Sequence, residues 1–488
     1  MIRNNRIKKL ATLELRFLPS LLLSILWSFA FNTLSAQNLH ADSSVVLNYN
    51  DFIDLVLLEH PVSKQADLQI EKGKAAVMAA RGGFDPKLTS TFNQKQFENI
   101  HYYTYSESNL SVNTPFGLEV KTGFEQNSGA YINPENTTPM GGLVKIGVSL
   151  PIGRGLFIDG ERTERNLALL YEENTDFQRS LIRNTLVLEA GMSYWKWFNA
   201  HHVLKSYQEA YSAARFRFEG VRREVILGDR AAIDSVEANI QLNQRLVMLE
   251  SALNNLENAK REVAAFLWVN DQPDLTHLNQ IQPMSQESIL MVSNYLYRSQ
   301  KIDSNLSMHP YFLQLQNKMA QLEVQVRWKK EQLKPNLNIN YNAINEPVGN
   351  QMIAGFSPNN YMVGLQFSTS LFLRKERGEL QLAKLKLQET ALELDNFSYN
   401  IYNSALIAIN NLKLAEEQLQ TSSQILMDYE ILLNAERRLF FAGESSLFLV
   451  NMREQGYINA QVKQLEWLSK KEQSLLYAAY AMGVLGSE

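Results

Sequence analysis

Two periods divide this chain. The positions Ile401, Ala405, Ala408, Leu412, Ala415, Leu419, Ser422, Leu426, Tyr429 and Leu433 step four and three residues apart without a slip, and only Ser422 is polar. A 3.5-residue repeat lays one stripe along a helix and winds helices around each other. The same stripe runs through Leu186, Ala190, Ser193, Trp197, Ala200, Leu204, Tyr207, Tyr211, Ala214 and Phe218, and Leu242, Leu246, Leu249, Leu253 and Leu256 keep the spacing on a return arm. No Pro lies between Pro151 and Pro273, or after Pro358. The spacing predicts long helices over 160–226 and 375–441, each about 100 Å at ~1.5 Å per residue. Gly228-Asp229 and Gly443-Glu444 should reverse them, because glycine ends a helix in a left-handed conformation and an acid suits the next helix's first turn. The leading helices, about 50–82 and 308–333, are expected to stack beside the shorter return arms and complete the rods.

Elsewhere the period is two. Val144, Ile146, Val148 and Leu150 alternate with Lys145, Gly147 and Ser149; Leu337, Ile339 and Tyr341 alternate with Asn338, Asn340 and Asn342. Tyr361–Leu371 and Leu118–Glu125 alternate in the same way. Such segments are strands with one apolar and one polar face. Four are expected before the first long helix (about 88–97, 104–113, 117–126, 143–150) and two before the second. The alternation fits a half-buried soluble sheet as well as a lipid-facing wall. Tyr102, Tyr103, Tyr105 and Tyr361 suit an aromatic border on the latter. Its polar inner face would carry Lys145, Ser149, Asn338, Asn340, Gln366 and Ser368.

The two halves share an order. At an offset of 215, Glu161-Arg162 returns as Glu376-Arg377 and Gly228-Asp229 as Gly443-Glu444; at 249, His60-Pro61 returns as His309-Pro310. The halves, 37–270 and 308–488, each read helix, strands, long helix, shorter helix, and 271–307 links them. An α+β architecture of two tandem repeats follows.

Charge and termini narrow the setting. The chain carries 47 Lys+Arg against 51 Asp+Glu, a formal −4. The first 36 residues hold five basic residues and one acid, so 42 face 50 beyond them. That balance argues against non-specific nucleic-acid binding, which needs a basic surface. The basic start, the apolar run Phe17–Phe31 and Leu34-Ser35-Ala36 read as an export signal over 1–36. No later stretch is long and apolar enough for a membrane helix, so an exported chain of this kind is soluble or inserted as a barrel. Four to six strands cannot surround water; about eight is the minimum. Several copies must therefore share any barrel.

No cysteine is present, which removes disulfides, thiolate metal sites and thiol catalysis. His201 and His202 are adjacent rather than four apart, and read as solvated helix surface. His60 and His309 each precede proline, which suits a helix boundary. Gly153-Arg154-Gly155 lacks the third glycine of a dinucleotide loop and reads as a turn. No nucleophile–base pair, paired carboxylate or phosphate loop emerges, so no enzyme and no cofactor is expected.

These segments together resemble the TolC-like outer-membrane efflux proteins over residues 45–486. Leu47–Pro61 resembles the family's opening helix, Ser149–Gly155 its strand exit, and Arg217–Gln244 and Arg437–Gln461 its hairpin tips. The resemblance implies a homotrimer in which each chain gives about four strands to one outer-membrane barrel, continued by a coiled-coil α-helical barrel across the periplasm. It implies a passive exit channel of a tripartite efflux pump or type I secretion system, with a periplasmic adaptor and an inner-membrane transporter as partners. Gly228, Asp229, Gly443, Glu444 and Ser445 would face the adaptor. Some members close the periplasmic mouth with acids beyond the tip glycines; Asp234 stands there in the first half, and Leu449 and Met452 in the second. The extra hairpin at about 104–126 departs from two strands per half, and would lengthen the barrel strands or form a surface addition. A non-transporting alternative, an exported stalk or adhesin with a small β-domain, explains the heptads but not the two matched interruptions by strands.

Overall fold

The computed structural model describes residues 45–269, 272–273, 280–289, 307–347 and 355–485. The export signal expected over 1–36, most of the 271–307 linker and part of the 345–360 loop lie outside the described residues. Two compact units are distinguished. One is small and, among the described residues, comprises 45–46 and 280–282, where the Val45 N–H donates to the Gln280 carbonyl (2.8 Å). The other, 47–278 with 283–488, is the body described below.

That body contains α1 (Tyr49–Glu59), α2 (Pro61–Arg81), β1 (Lys87–Phe97), β2 (Ile100–Asn113), β3 (Glu119–Ser128), β4 (Leu143–Pro151), α3 (Gly160–Leu227) and α4 (Ala232–Ala264). After the connecting segment come α5 (Pro310–Glu331), β5 (Asn336–Asn345), β6 (Tyr361–Ser368), α6 (Arg374–Phe441) and α7 (Leu447–Ala481). The two long helices are 68 residues each. All twenty stripe positions on α3 and α6 are buried or half-buried.

Each long helix carries two shorter ones in line. On α6, the leading helix α5 packs beside residues 379–397, through Lys329–Glu379 (2.7 Å) and Lys318–Glu393 (2.9 Å), and α7 packs below it. Small residues set the close approaches: Ala405 and Ala408 meet Ala478 and Ala481, and a Cβ on Gly456 would strike the Tyr429 ring. On α3, α2 covers the first part and α4 the last, so the rods are completed as the lengths require. The joints match in the two halves. His60 and His309 are the N-caps of α2 and α5, each accepting through Nδ1 from the second N–H beyond it (3.2 Å), with proline at the first helical position. His60 stacks on Phe266 just past α4, and a Cβ on Gly483 just past α7 would strike His309.

The return arm α4 keeps the expected stripe in part: Leu242, Leu246 and Leu249 are half-buried and Leu256 is buried, but the most buried positions are shifted. Its buried register is Ala238, Arg245, Ala252 and Ala259, seven apart, with Leu256 and Val263, whereas Leu253 is exposed. Alanine at the contact lets the helices approach closely, with Leu242, Leu246 and Leu249 half-buried beside it. His201 and His202 are not solvated either. Both are half-buried, and His202 Nε2 lies 3.1 Å from the Met284 carbonyl. Burial pushes His201 down to about 4, and lowers His202 as well, only partly opposed by that carbonyl.

The strands form one antiparallel sheet in the order β6-β5-β4-β3-β2-β1. The residue pattern's six strands are all present, so the sheet of one chain exceeds the four that the resemblance implies. It is open, with β1 and β6 at its edges. Among the described residues no helix is long and apolar enough to cross a membrane.

Candidate functional sites: the sheet face and the hairpin tips

Residues directly opposite in an antiparallel ladder share a face. Ser149 pairs with Asn340, Pro151 with Asn338, Asn338 with Gln366, and Asn336 with Ser368; Lys145 alternates with Ser149 on β4. All six proposed lumen residues (Lys145, Ser149, Asn338, Asn340, Gln366 and Ser368) therefore lie on one face. The opposite face carries Val144, Ile146, Val148, Ile339, Tyr341, Val363, Leu365 and Phe367. Carried across the sheet, the register adds Glu107 and Asn109 of β2, and Glu119, Lys121 and Glu125 of β3, to the polar face. Lys145 bridges Glu107 (3.7 Å) and Glu125 there. This face is concave: a hollow of about 330 Å³ touches Thr89, Asn109, Lys121, Lys145, Asn342 and Met362, one from each strand. The aromatic border is split. Tyr361 stacks on Tyr341 (6.2 Å) on the apolar face, whereas Tyr103 and Tyr105, against each other at 4.7 Å, fall on the polar one.

At the other end of the long helices are the turns. Gly228 has φ +86 and Gly443 φ +79, with nothing within 4 Å of a Cβ at either, so only the backbone demands glycine. The Asp229 N–H closes on the Glu224 carbonyl (2.9 Å) and that of Glu444 on Leu439 (2.9 Å), which satisfies the orphan carbonyls. Gly228, Asp229, Gly443 and Glu444 are exposed. Ser445 is half-buried and its hydroxyl donates to Glu436; the N-cap of α7 is Ser446, one residue on. The two turns meet. Val221, Ala238 and Leu447 form one buried cluster with Phe218, Val225 and Phe440 against it, and the Arg230 guanidinium lies over the Phe440 ring (5.3 Å). Around it Ile226, Leu227, Ile233, Phe441 and Phe448 are exposed.

The three gate candidates have different surroundings. Asp234 sits in the first turn of α4, 3.8 Å from Arg230. Leu449 is half-buried. Met452 is 44% exposed and lines a groove of about 1110 Å³ with Ile240, Gln244, Val247 and Phe448.

Sequence reasoning missed a buried polar network just behind the turns. Arg217 of α3 forks onto Glu454 of α7 (2.7 and 2.9 Å) and reaches Asn451 (2.7 Å); Arg437 of α6 joins Glu454 at 3.3 Å, and Asn451 donates to Glu237 of α4 (3.3 Å). All four hairpin helices meet in it. Glu454 is 4% exposed. Burial pushes its carboxyl up, but Arg217, aided by Arg245 and Arg437, outweighs this and holds it below the usual carboxylate range. The available signal was a charge among apolar positions three and four residues apart, Leu447, Val450, Glu454 and Ile458.

Among the described residues no group of His, Asp or Glu is arranged to hold a metal. No family model and no curated protein matches the sequence. Solved structures do match. The chain superposes on the CmeC outer membrane channel of Campylobacter jejuni with a TM-score of 0.63 at 14% identity, covering 90% of this chain and 87% of that one. The outer membrane protein VceC of Vibrio cholerae gives 0.62 at 13%, covering 89% and 96%. The open state of the MtrE outer membrane channel of Neisseria gonorrhoeae gives 0.62 at 13%, covering 92% and 93%. The fold of this chain is that of TolC-like outer-membrane channels.

Proposed function

We propose, from the premise of that shared fold, that this chain is one subunit of a homotrimeric exit duct in the outer membrane. The sheet spans the bilayer and the paired hairpins cross the periplasm. The duct is passive and takes its cargo from an inner-membrane transporter through a periplasmic adaptor, as part of a tripartite pump or a type I secretion system. The two tandem repeats supply matching hairpins to the tube.

One observation carries this reading: the concave polar face of the sheet is too short an arc to surround water, and its back is apolar over β4, β5 and β6. A soluble stalk has no use for an apolar outer face on an open sheet. The helices support the same conclusion. Beyond the stripe used within the chain, α6 exposes Leu385, Leu392 and Tyr399 at seven-residue steps and then, eight residues on, Ile407 and Leu414, again seven apart. That is a second seam without a partner in one copy. At the tips, the exposed apolar side chains around Gly228, Asp229, Gly443, Glu444 and Ser445 are a docking surface for the adaptor, and Asp234, Leu449 and Met452 narrow the mouth behind them.

Purified protein added to a planar bilayer should give defined conductance steps and migrate as a trimer in detergent. A soluble monomer without conductance would sink the duct and leave the stalk.

A further inference from the structure

The geometry points to a transmembrane wall to which each copy gives all six strands. Three copies then close a barrel of three times six, eighteen strands, sealed by β6 of one copy pairing with β1 of the next. This rests on the trimeric duct above and changes its bore.

The inserted strands are built into the sheet. β2 and β3 pair one-to-one from Thr104↔Ser128 to Asn113↔Glu119. β1 and β2 join through a two-residue turn, Glu98-Asn99, with both residues left-handed (φ 52 and 59), the twist that fits a tight hairpin. The β2–β3 turn is closed by Thr114 N–H to Leu118 carbonyl (2.9 Å). It packs on Arg162 at the start of α3: a Cβ on Gly117 would lie 2.8 Å from that guanidinium. Arg162 is itself held by Asp159 (2.9 Å). A hairpin folded away from the wall would break this ladder and this anchor.

The faces also continue. Lys87, Thr89, Thr91 and Asn93 of β1 stand on the same side as Lys145, and Leu88 and Phe92 on the apolar side. On β1 and β2 that side is apolar at Leu88, Phe92, Leu110 and Val112 and polar between and beyond them: Ser90 and Ser108 satisfy each other at 2.9 Å, and Ser106, Gln94 and Thr104 follow. The polar hollow touches every strand, so the curvature is shared by all six. Strand lengths of 8 to 14 residues bracket the roughly 9–11 that a bilayer asks of a tilted strand.

The edges dictate the seal. An unpaired edge cannot stand in hydrocarbon. Because the sheet has an even number of antiparallel strands, β1 and β6 run in opposite directions. Copies arranged head to tail therefore continue the same alternation, polar face inward, until the ring closes. Barrel diameter grows about linearly with strand number, so this bore is roughly 1.5 times that of a twelve-stranded wall.

The chain has no cysteine, so introduced pairs report without background. In the full-length protein in membranes, Gln366→Cys is combined in turn with Lys87→Cys, Thr89→Cys, Thr91→Cys and Asn93→Cys. A second series combines it with Glu119→Cys or Lys121→Cys on β3. After oxidation, denaturing gels should show disulfide-linked ladders ending at three chains in the first series. Linkage of β6 to β3 instead would mean that β1 and β2 lie off the wall, and an intrachain disulfide in Thr89→Cys with Lys145→Cys would mean that the inserted strands β2 and β3 do, since these hold the two positions three strands apart; either would overturn the proposal. So would a ladder ending at two chains, or no linkage in either series while the protein is trimeric and conducts. A monomeric protein silent in bilayers fails the duct reading instead.

Discussion

His309 shows what one side chain contributes at a joint. Its Nδ1 can cap α5 only while the imidazole is neutral, and burial pushes its pKa down to about 4. An unfolded histidine titrates near 6.5, so between roughly 6.5 and 4 the unfolded chain binds more protons than the folded one. The contribution is intact above that window and is lost as pH falls through it. Melting at pH 7.5 and pH 5 should therefore show a fall for the wild type and a smaller one for His309→Asn, which caps without titrating. An equal fall in both would remove His309 from the account. Glu454 makes the converse case, a buried carboxylate held charged by its neighbours. Arg217→Ala should destabilise by about 3–5 kcal/mol by stranding that charge, whereas Arg217→Met with Glu454→Leu should cost much less. Chemical denaturation of the three proteins checks the order.

At the scale of elements, the turns separate backbone demand from packing. Both tip glycines have open space where a Cβ would go, so Gly228→Val with Gly443→Val strains only the turns, by about 1–2 kcal/mol or more each. Trimers should still insert, while cross-linking to the adaptor in cells and export should fall. Wild-type export by the double mutant would refute the tip assignment. The helices around these turns were legible because a 3-4 repeat without proline has one outcome over 68 residues. The return arm was less so. Leu242–Leu256 and Ala238–Ala259 are both regular at helical spacing, and which one faces α3 depends on how closely two backbones approach. The histidine pair was misread for a similar reason, since the backbone carbonyl beside His202 belongs to Met284, far away in the chain.

For the whole molecule, the charges on the concave face should set ion preference. Glu107, Glu119 and Glu125 stand there with Lys121 and Lys145. Replacing all three glutamates with glutamine leaves the lysines unopposed, and reversal potentials under a salt gradient should shift toward anions. An unchanged potential would put these strands outside the conducting path.

What this chain's residues determined by themselves is local: where helices and strands run, where they turn, and which side of each is apolar. Those follow from periods of 3.5 and two and from glycine and proline, all of which act within a few residues. Tertiary structure alone decided that six strands form one concave sheet, that the two tips pack together, and that Arg217 finds Glu454 across 237 residues of chain. A buried charge or an inserted hairpin is read from what lies opposite it, and that partner is set by how whole elements pack.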